Sequence, residues 1–164
     1  GFLGREGGYP LGGGPGWAAR GVGHHPGAVA VVPRDGRHLH LLRQYRAAVQ
    51  GPLLELPAGK RDVAGEDPAE TARRECIEEM GLHPARVSLL HRAYTSPGFT
   101  DELTWIFLAE DLEEVPSDPQ GLEEMAATRV ALTLEEALEA VAAGEIHDAK
   151  TIVGVYALAR RLGR

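Results

Sequence analysis

The sequence predicts an α+β fold in a single domain, and three patterns indicate it. Strand patterns separated by a turn occupy the first third of the chain, and a glycine-rich loop then leads into one amphipathic helix. More β-rich segments and two helical patterns complete the chain. With 164 residues and 43% hydrophobic content, the chain can bury one substantial core.

The start of the chain differs in composition from the rest. Residues 1–16 are rich in glycine and show no hydrophobic period, so we expect a flexible segment there and a single domain over residues 17–164. A basic stretch followed by a long apolar run is not found, and a signal peptide is therefore not expected.

A β-hairpin is predicted next. Residues 27–33 are rich in valine and alanine, and residues 38–46 alternate leucine with polar side chains. Asp35 and Gly36 lie between them, and this dipeptide accepts the positive φ angles of a tight turn. The two strands are therefore expected to pair with each other.

Both ends of the central helix can be read from its residues. Asp67 is a suitable N-cap, Pro68 occupies the first helical position, and Gly81 stands where a left-handed residue ends a helix. A helix over residues 68–80 follows. Cys76, the single cysteine, lies on its apolar face, which favours a buried small side chain over a nucleophile.

The second half of the chain contains further strands and two more helices. In chain order we predict strands over 87–94 and 103–108, an acidic connection over 111–124, a strand over 128–132, and helices over 133–143 and 148–162. Both helices are expected to cover the sheet.

The central helix carries three carboxylates beside its apolar face. Glu75, Glu78 and Glu79 cluster there at helical spacing. Like charges four residues apart, as in Glu75 and Glu79, cost an isolated helix about 0.2–0.5 kcal/mol. A cation bound between the two carboxylates turns this repulsion into a net attraction. Carboxylate oxygens suit Mg²⁺ or Mn²⁺. The alternative is a solvated acidic surface.

A wider pattern surrounds these carboxylates. Its residues are Gly59, Glu66, Arg74, Glu75, Glu78, Glu79, Gly81 and Leu82. From Glu66 onward the spacing resembles the signature of the Nudix hydrolases. One departure is visible, since six residues separate Gly59 from Glu66 where the signature has five. The extension lies in the loop and leaves the helix register unchanged. The resemblance implies the Nudix α/β/α sandwich, with a mixed β-sheet between helices, and a homodimer.

A second motif narrows the substrate class. Pro97 lies fifteen residues after Leu82, and the ADP-ribose pyrophosphatases among the Nudix hydrolases are similar in having a proline at this spacing. The resemblance implies metal-dependent hydrolysis of the diphosphate bond of ADP-ribose, which yields AMP and ribose 5-phosphate.

The resemblance also implies a metal site. Glu75, Glu79 and the carbonyl of Ala58 are expected to hold Mg²⁺, for which Mn²⁺ or another divalent cation can substitute. Glu78 is expected to help hold a further ion, and Arg74 to orient the carboxylates.

The acidic loop before residues 128–132 is expected to supply the group that acts on water. By resemblance, Glu123 or Glu124 aligns or deprotonates the attacking water. The sequence leaves the choice between them open.

Four residues outside the helix are candidates for substrate contacts. Arg46 closes a predicted strand, and its guanidinium suits the oxygens of a diphosphate. Glu55 is a ribose contact, a supporting residue or a solvent-facing strand residue. Phe99 is expected near the nucleotide and Glu102 near ribose or a metal-bound water, unless both only shape the loop.

Two other functions stay open. A Nudix enzyme can act on another nucleoside diphosphate derivative, such as a nucleotide sugar or a dinucleoside polyphosphate, because specificity lies outside the signature. A non-catalytic Nudix domain can instead sense a nucleotide and regulate a partner. The sequence mark of such a sensor is loss of the signature carboxylates, and all three are present here.

Charge and hydropathy exclude two classes of partner. The net charge of −7 argues against a nucleic-acid-binding surface, and no apolar run approaches the roughly 20 residues of a membrane span. With a single cysteine, the chain fits a cytoplasmic enzyme that acts on a small nucleoside diphosphate.

Overall fold

Residues 4–10, 17–118 and 122–164 are described in a computed structural model, with side chains over 21–118 and 124–164. The strands are β1 Gly4–Pro10, β2 Trp17–Gly23, β3 Ala28–Pro33, β4 His38–Arg46, β5 Gly51–Glu55, β6 Ala58–Lys60, β7 Leu82–Tyr94, β8 Leu103–Glu114 and β9 Thr128–Thr133. The helices are α1 Pro68–Met80, α2 Leu122–Met125, α3 Leu134–Ala142 and α4 Ala149–Arg161.

The strands form three sheets. The largest has the order β6-β3-β8-β7. In it β3 pairs parallel with β8, whereas the β3–β6 and β7–β8 pairs are antiparallel. A second, antiparallel sheet has the order β5-β4-β9, and β1 pairs with β2 in a third. The mixed sheet with helices around it confirms the predicted α+β class.

The four-stranded sheet lies between two helical layers. Successive side chains of a strand point to opposite faces. Val29 and Val31 of β3 therefore pack with Cys76 on the α1 side, and Ala30 packs with Val155 on the side of α3 and α4. All five are fully buried, so β3 is the centre of the sandwich.

Helix α1 begins and ends where the sequence predicts. The Asp67 side chain accepts a hydrogen bond from the Ala69 amide at 2.8 Å, and Gly81 ends the helix with φ +64°. A Cβ atom at Gly81 would lie 2.7 Å from the Val115 carbonyl oxygen. Both the conformation and the space at this position therefore require glycine.

The last helix is anchored on the strand region through its first turn. Asp148 caps α4 by accepting from the Thr151 amide at 2.9 Å and from its hydroxyl at 2.6 Å. The Thr151 hydroxyl oxygen accepts in turn from the Leu56 amide at 2.8 Å. Within the described ranges, no helix is long and apolar enough to cross a membrane.

The predicted hairpin is wrong in its pairing, although both strands and the turn exist. Gly36 has φ +95°, but a single bridge between Arg34 and Leu39 joins the two strands. β3 pairs with β6 and β8, and β4 pairs with β5 and β9. The reason is burial, because every residue of β3 is buried and a strand covered on both faces takes partners on both edges.

Two segments differ from their predicted structure. β8 continues to Glu114, within the predicted connection, because Glu110 and residues 112–114 pair with β7. Residues 4–10, within the segment expected to be flexible, form β1 and pair with β2 along their length. Main-chain hydrogen bonds need no hydrophobic period, which explains why the pattern missed this strand. Residues 1–3 and 11–16 lie outside the described residues.

We expect Gly81→Ala to lower the free energy of unfolding by roughly 2–4 kcal/mol, from positive φ and overpacking together. Gly144→Ala is the matched control, because Gly144 has φ +72° and open space around it. That variant should lose only about 1 kcal/mol. Denaturant unfolding measures both, and equal losses would show that the Val115 carbonyl does not restrict the position.

Candidate active site

Two glutamates of α1 lie against strand β6. Glu75 is 8% exposed, and its carboxylate rests on Gly59 so closely that a Cβ atom there would overlap it. The Glu79 Oε2 atom accepts a hydrogen bond from the Ala58 amide at 3.0 Å. The small residues of β6 thus bring its main chain within reach of both carboxylates.

Burial makes both carboxylates reluctant to ionise. It raises the pKa of Glu75 to about 7, with Glu78 and Glu124 adding to the effect and Arg74 opposing it. It raises the pKa of Glu79 to about 8, where Glu75 and Glu124 add and the Ala58 amide opposes. Ionisation of both carboxylates would therefore concentrate negative charge here without full compensation from the protein.

Arg74 connects three carboxylates. Its guanidinium donates to Glu75 Oε1 at 2.8 Å, to Glu78 Oε2 at 3.1 Å and to both oxygens of Glu66 at 3.4 Å. Burial disfavours the charged guanidinium, but these partners outweigh it and raise the pKa of Arg74. The Glu66 carboxylate also accepts from the Thr71 hydroxyl at 2.8 Å. The orienting role of Arg74 stays a prediction.

The donor set fits a hard divalent cation. Glu75, Glu79 and main-chain carbonyls of β6 offer only oxygen, which Mg²⁺ prefers. Over the described residues, no three His, Cys, Asp or Glu side chains already converge as metal ligands. The hydrogen bonds from Arg74 and from the Ala58 amide engage Glu75 Oε1 and Glu79 Oε2, one oxygen of each carboxylate.

The acidic loop contributes one described carboxylate near this pair. Glu124 lies on α2 and is half-buried, and its charge raises the pKa of both Glu75 and Glu79. The side chain of Glu123 lies outside the described residues, so the choice between the two stays a prediction.

A second group of charges surrounds Glu55, which is 2% exposed. Arg46 donates to it bidentately, Nε to Oε1 at 2.7 Å and Nη2 to Oε2 at 2.8 Å. Lys150 donates to the same Oε2 at 2.6 Å and to Asp148 Oδ1 at 2.9 Å. Burial opposes ionisation, but the two cations lower the pKa of Glu55. Of the roles predicted for Glu55, a solvent-facing strand residue is therefore wrong.

A pocket of about 410 Å³ adjoins both groups. Its lining residues are His25, Ala28, Arg46, Ala58, Gly59, Lys60, Thr95, Glu102, Thr104, Asp148, Ala149 and Lys150. Ala58 and Gly59 also touch the two glutamates of α1, so the pocket opens beside the acidic pair. A larger pocket of about 530 Å³ lies near Arg34 and Thr133 and contains none of the predicted site residues.

The loop around Pro97 places its two candidates differently. Glu102 lines the pocket and accepts from the Thr95 hydroxyl at 2.7 Å. Phe99 is 58% exposed and is not among the pocket residues. The structure therefore brings Arg46, Ala58 and Glu102 together around one cavity and leaves Phe99 outside it.

Sequence reasoning missed Lys150 and Asp148. Both come from the first turn of α4, and Glu55 lies 95 residues before Lys150. The N-cap position of Asp148 was the one available signal, and it indicates a helix start without revealing which strand the helix packs on.

Comparison with known proteins assigns the family. Residues 23–152 match the NUDIX domain. The chain belongs to the Nudix family. The matched range contains the signature residues as well as Arg46, Glu102 and Lys150, and the resemblance stated from the sequence is confirmed.

Several relatives carry descriptive names. An ADP-ribose pyrophosphatase of Bacillus subtilis (strain 168) is 38% identical over 135 residues, which are 82% of this chain and 72% of that protein. An ADP-ribose pyrophosphatase of Mycobacterium tuberculosis (strain ATCC 25618 / H37Rv) is 40% identical over 146 residues, which are 88% of this chain and 70% of that protein. A GDP-mannose pyrophosphatase of Cronobacter sakazakii (strain ATCC BAA-894) is 34% identical over 133 residues, which are 77% of this chain and 69% of that protein.

A solved structure supports the fold. The crystal structure of an ADP compounds hydrolase matches this Nudix chain with a TM-score of 0.81 at 21% identity, covering 90% of this chain and 79% of that one. At this identity the likeness shows the fold alone, and it confirms the predicted sandwich.

The raised pKa values predict that stability without metal falls as pH rises. The folded protein holds protons on Glu75 and Glu79 that the unfolded chain has lost above its ordinary pKa of 4.5. Unfolding free energy in EDTA should therefore drop by roughly 1–3 kcal/mol between pH 6 and pH 8.

Denaturant unfolding at the two pH values measures this drop. Glu79→Gln should reduce it, because the glutamine cannot ionise, and Mg²⁺ should restore wild-type stability at pH 8. A wild-type protein as stable at pH 8 as at pH 6 would contradict the proposed burial of charge.

Proposed function

We propose that this Nudix chain is a pyrophosphohydrolase that cleaves the diphosphate bond of ADP-ribose with water, giving AMP and ribose 5-phosphate. The observation that carries the proposal is the buried Glu75 and the half-buried Glu79 beside a pocket that Arg46 lines. A place for a cation thus adjoins a place for an anion. Two ADP-ribose pyrophosphatases among the relatives support the substrate.

Metal binding is assigned to α1 and β6. Glu75, Glu79 and the Ala58 carbonyl would hold a divalent cation, Mg²⁺ or Mn²⁺, and Glu78 would help to hold a further one. When bound, such a cation makes water more acidic and neutralises charge on a phosphate. Arg74 keeps Glu75 and Glu78 oriented through its hydrogen bonds to both.

The remaining assignments concern water and substrate. Glu123 or Glu124 would align or deprotonate the attacking water, and the charge of Glu124 near the acidic pair supports the latter. Arg46 would bind the diphosphate, held by Glu55 behind it. Glu102 would contact ribose from the pocket wall, and Phe99 would pack near the nucleotide.

The assembly follows the family resemblance, and the location follows the composition with its single cysteine. We propose a homodimer in the cytoplasm. Sedimentation as a single chain of 17.6 kDa would contradict the dimer, and enrichment outside the cytoplasmic fraction would contradict the location.

Two alternatives are retained. The GDP-mannose pyrophosphatase among the relatives favours hydrolysis of a nucleotide sugar, and dinucleoside polyphosphates belong to the same reaction class. A nucleotide sensor without turnover is the alternative from another class. Retention of Glu75, Glu78 and Glu79 argues against it.

The substrate is tested with purified protein and Mg²⁺. ADP-ribose should give AMP and ribose 5-phosphate by chromatography, with higher kcat/KM than GDP-mannose or a dinucleoside polyphosphate. Absence of AMP, or a higher kcat/KM for GDP-mannose, would overturn the assignment to ADP-ribose.

Glu79→Gln should lose at least about 10²-fold in kcat while remaining folded, because it removes one strong electrostatic group from the site. Glu70→Gln is the matched control on the same helix, since the Glu70 side chain is 61% exposed and pairs with Arg73 alone among the described residues. It should retain wild-type turnover. Unchanged turnover of Glu79→Gln would remove Glu79 from the mechanism.

A further inference from the structure

Two cationic side chains meet on one buried oxygen. Arg46 Nη2 lies 2.8 Å from Glu55 Oε2, and Lys150 Nζ lies 2.6 Å from that same atom. The distance between the two nitrogens therefore cannot exceed the sum of these two hydrogen-bond lengths. Glu55 holds the guanidinium and the ammonium side by side, although they come from β4 and α4.

The two cations, and not Glu55, face the cavity. Arg46 and Lys150 both line the pocket beside Ala58 and Gly59, whereas Glu55 is absent from its lining and is 2% exposed. The side chains of Arg46 and Lys150 are 37% and 16% exposed. A ligand in the pocket therefore meets both cations, together with the lining carboxylates Asp148 and Glu102, while Glu55 lies behind them.

The Lys150 ammonium has one more N–H group than the described hydrogen bonds use. An ammonium carries three N–H groups, and the described residues engage two of them, through Glu55 and Asp148. Asp148 is itself engaged by the first turn of α4, since its other oxygen accepts from the Thr151 amide and hydroxyl. An ammonium in this setting suits a phosphate oxygen, to which it can donate a charge-assisted hydrogen bond.

We propose that Lys150 is a substrate-binding residue, which contacts the phosphate oxygens of the substrate alongside Arg46. This inference rests on the proposed function and adds a second cation to the phosphate site. Glu55 then has a definite task, because it positions both cations and does not itself touch ribose. Through its bridge to Glu55, α4 contributes one residue, Lys150, to the substrate site.

Uncharged variants of Lys150 test the inference. Lys150→Gln keeps a donor for Glu55, and Lys150→Met is a second uncharged variant in case the first fails to fold. For either, loss of a hydrogen bond to a charged group should raise the Kd for ADP, measured by calorimetry with Mg²⁺, roughly 10- to 100-fold. KM for ADP-ribose should rise with it, and kcat should fall less. Lys150→Arg should retain most of the affinity.

A matched variant separates a phosphate contact from support of the fold. Thr151→Val disrupts the same turn of α4 by removing the hydroxyl that binds the Leu56 amide and Asp148. It should lower the melting temperature and leave the Kd for ADP within about threefold of wild type, well below the loss expected for a charged hydrogen bond. Inhibition by adenosine, which lacks phosphate, should be unchanged in the Lys150 variants.

The outcomes distinguish this inference from the proposed function. If ADP-ribose is not hydrolysed but Lys150→Gln still weakens ADP binding, the proposed substrate is wrong and the phosphate contact stands. An unchanged Kd for ADP in the uncharged variants overturns the inference, whatever the enzyme hydrolyses. Equal weakening of ADP and adenosine overturns it too, because the pocket has then been distorted.

Discussion

The contact between the Glu75 carboxylate and the main chain of Gly59 is the constraint on which the site depends. Helix α1 can approach β6 this closely because residue 59 has no side chain. Apolar packing behind the contact, through Cys76 against β3, holds the helix in place. The energy that buries the apolar face thus also buries charge that would otherwise stay in water. Arg74 and the Ala58 amide compensate part of that charge.

Strand β6 lies next to two groups of charged side chains. Carboxylates of α1 contact Ala58 and Gly59 of this strand, and the same two residues line a pocket together with Arg46 and Lys150. A diphosphate is anionic and needs cations around it, whereas a metal ion needs carboxylates. The arrangement supplies both within a few residues of one short strand.

Local features were predictable from the sequence, and pairings were not. The boundaries of α1 follow from Asp67 and Gly81, which act within one turn of the helix. The hairpin failed because the Asp-Gly turn specifies a reversal of the chain without specifying which strand becomes the neighbour. Lys150 was missed for a similar reason, since it meets Glu55 only after α4 has packed on the sheet. The signature located the acids because their spacing on one helix is local.

The parallel pairing of β3 with β8 has a consequence for the order in which the molecule is built. It places Ala28 opposite Thr104, and both residues line the pocket. α4, which completes the cavity wall, lies later still in the chain. A chain that has left the ribosome only as far as the end of α1 therefore contains the carboxylates of the signature, but it cannot yet form the cavity. Closing so long a segment is slow compared with helix formation, so the acids are present before the cavity beside them can form.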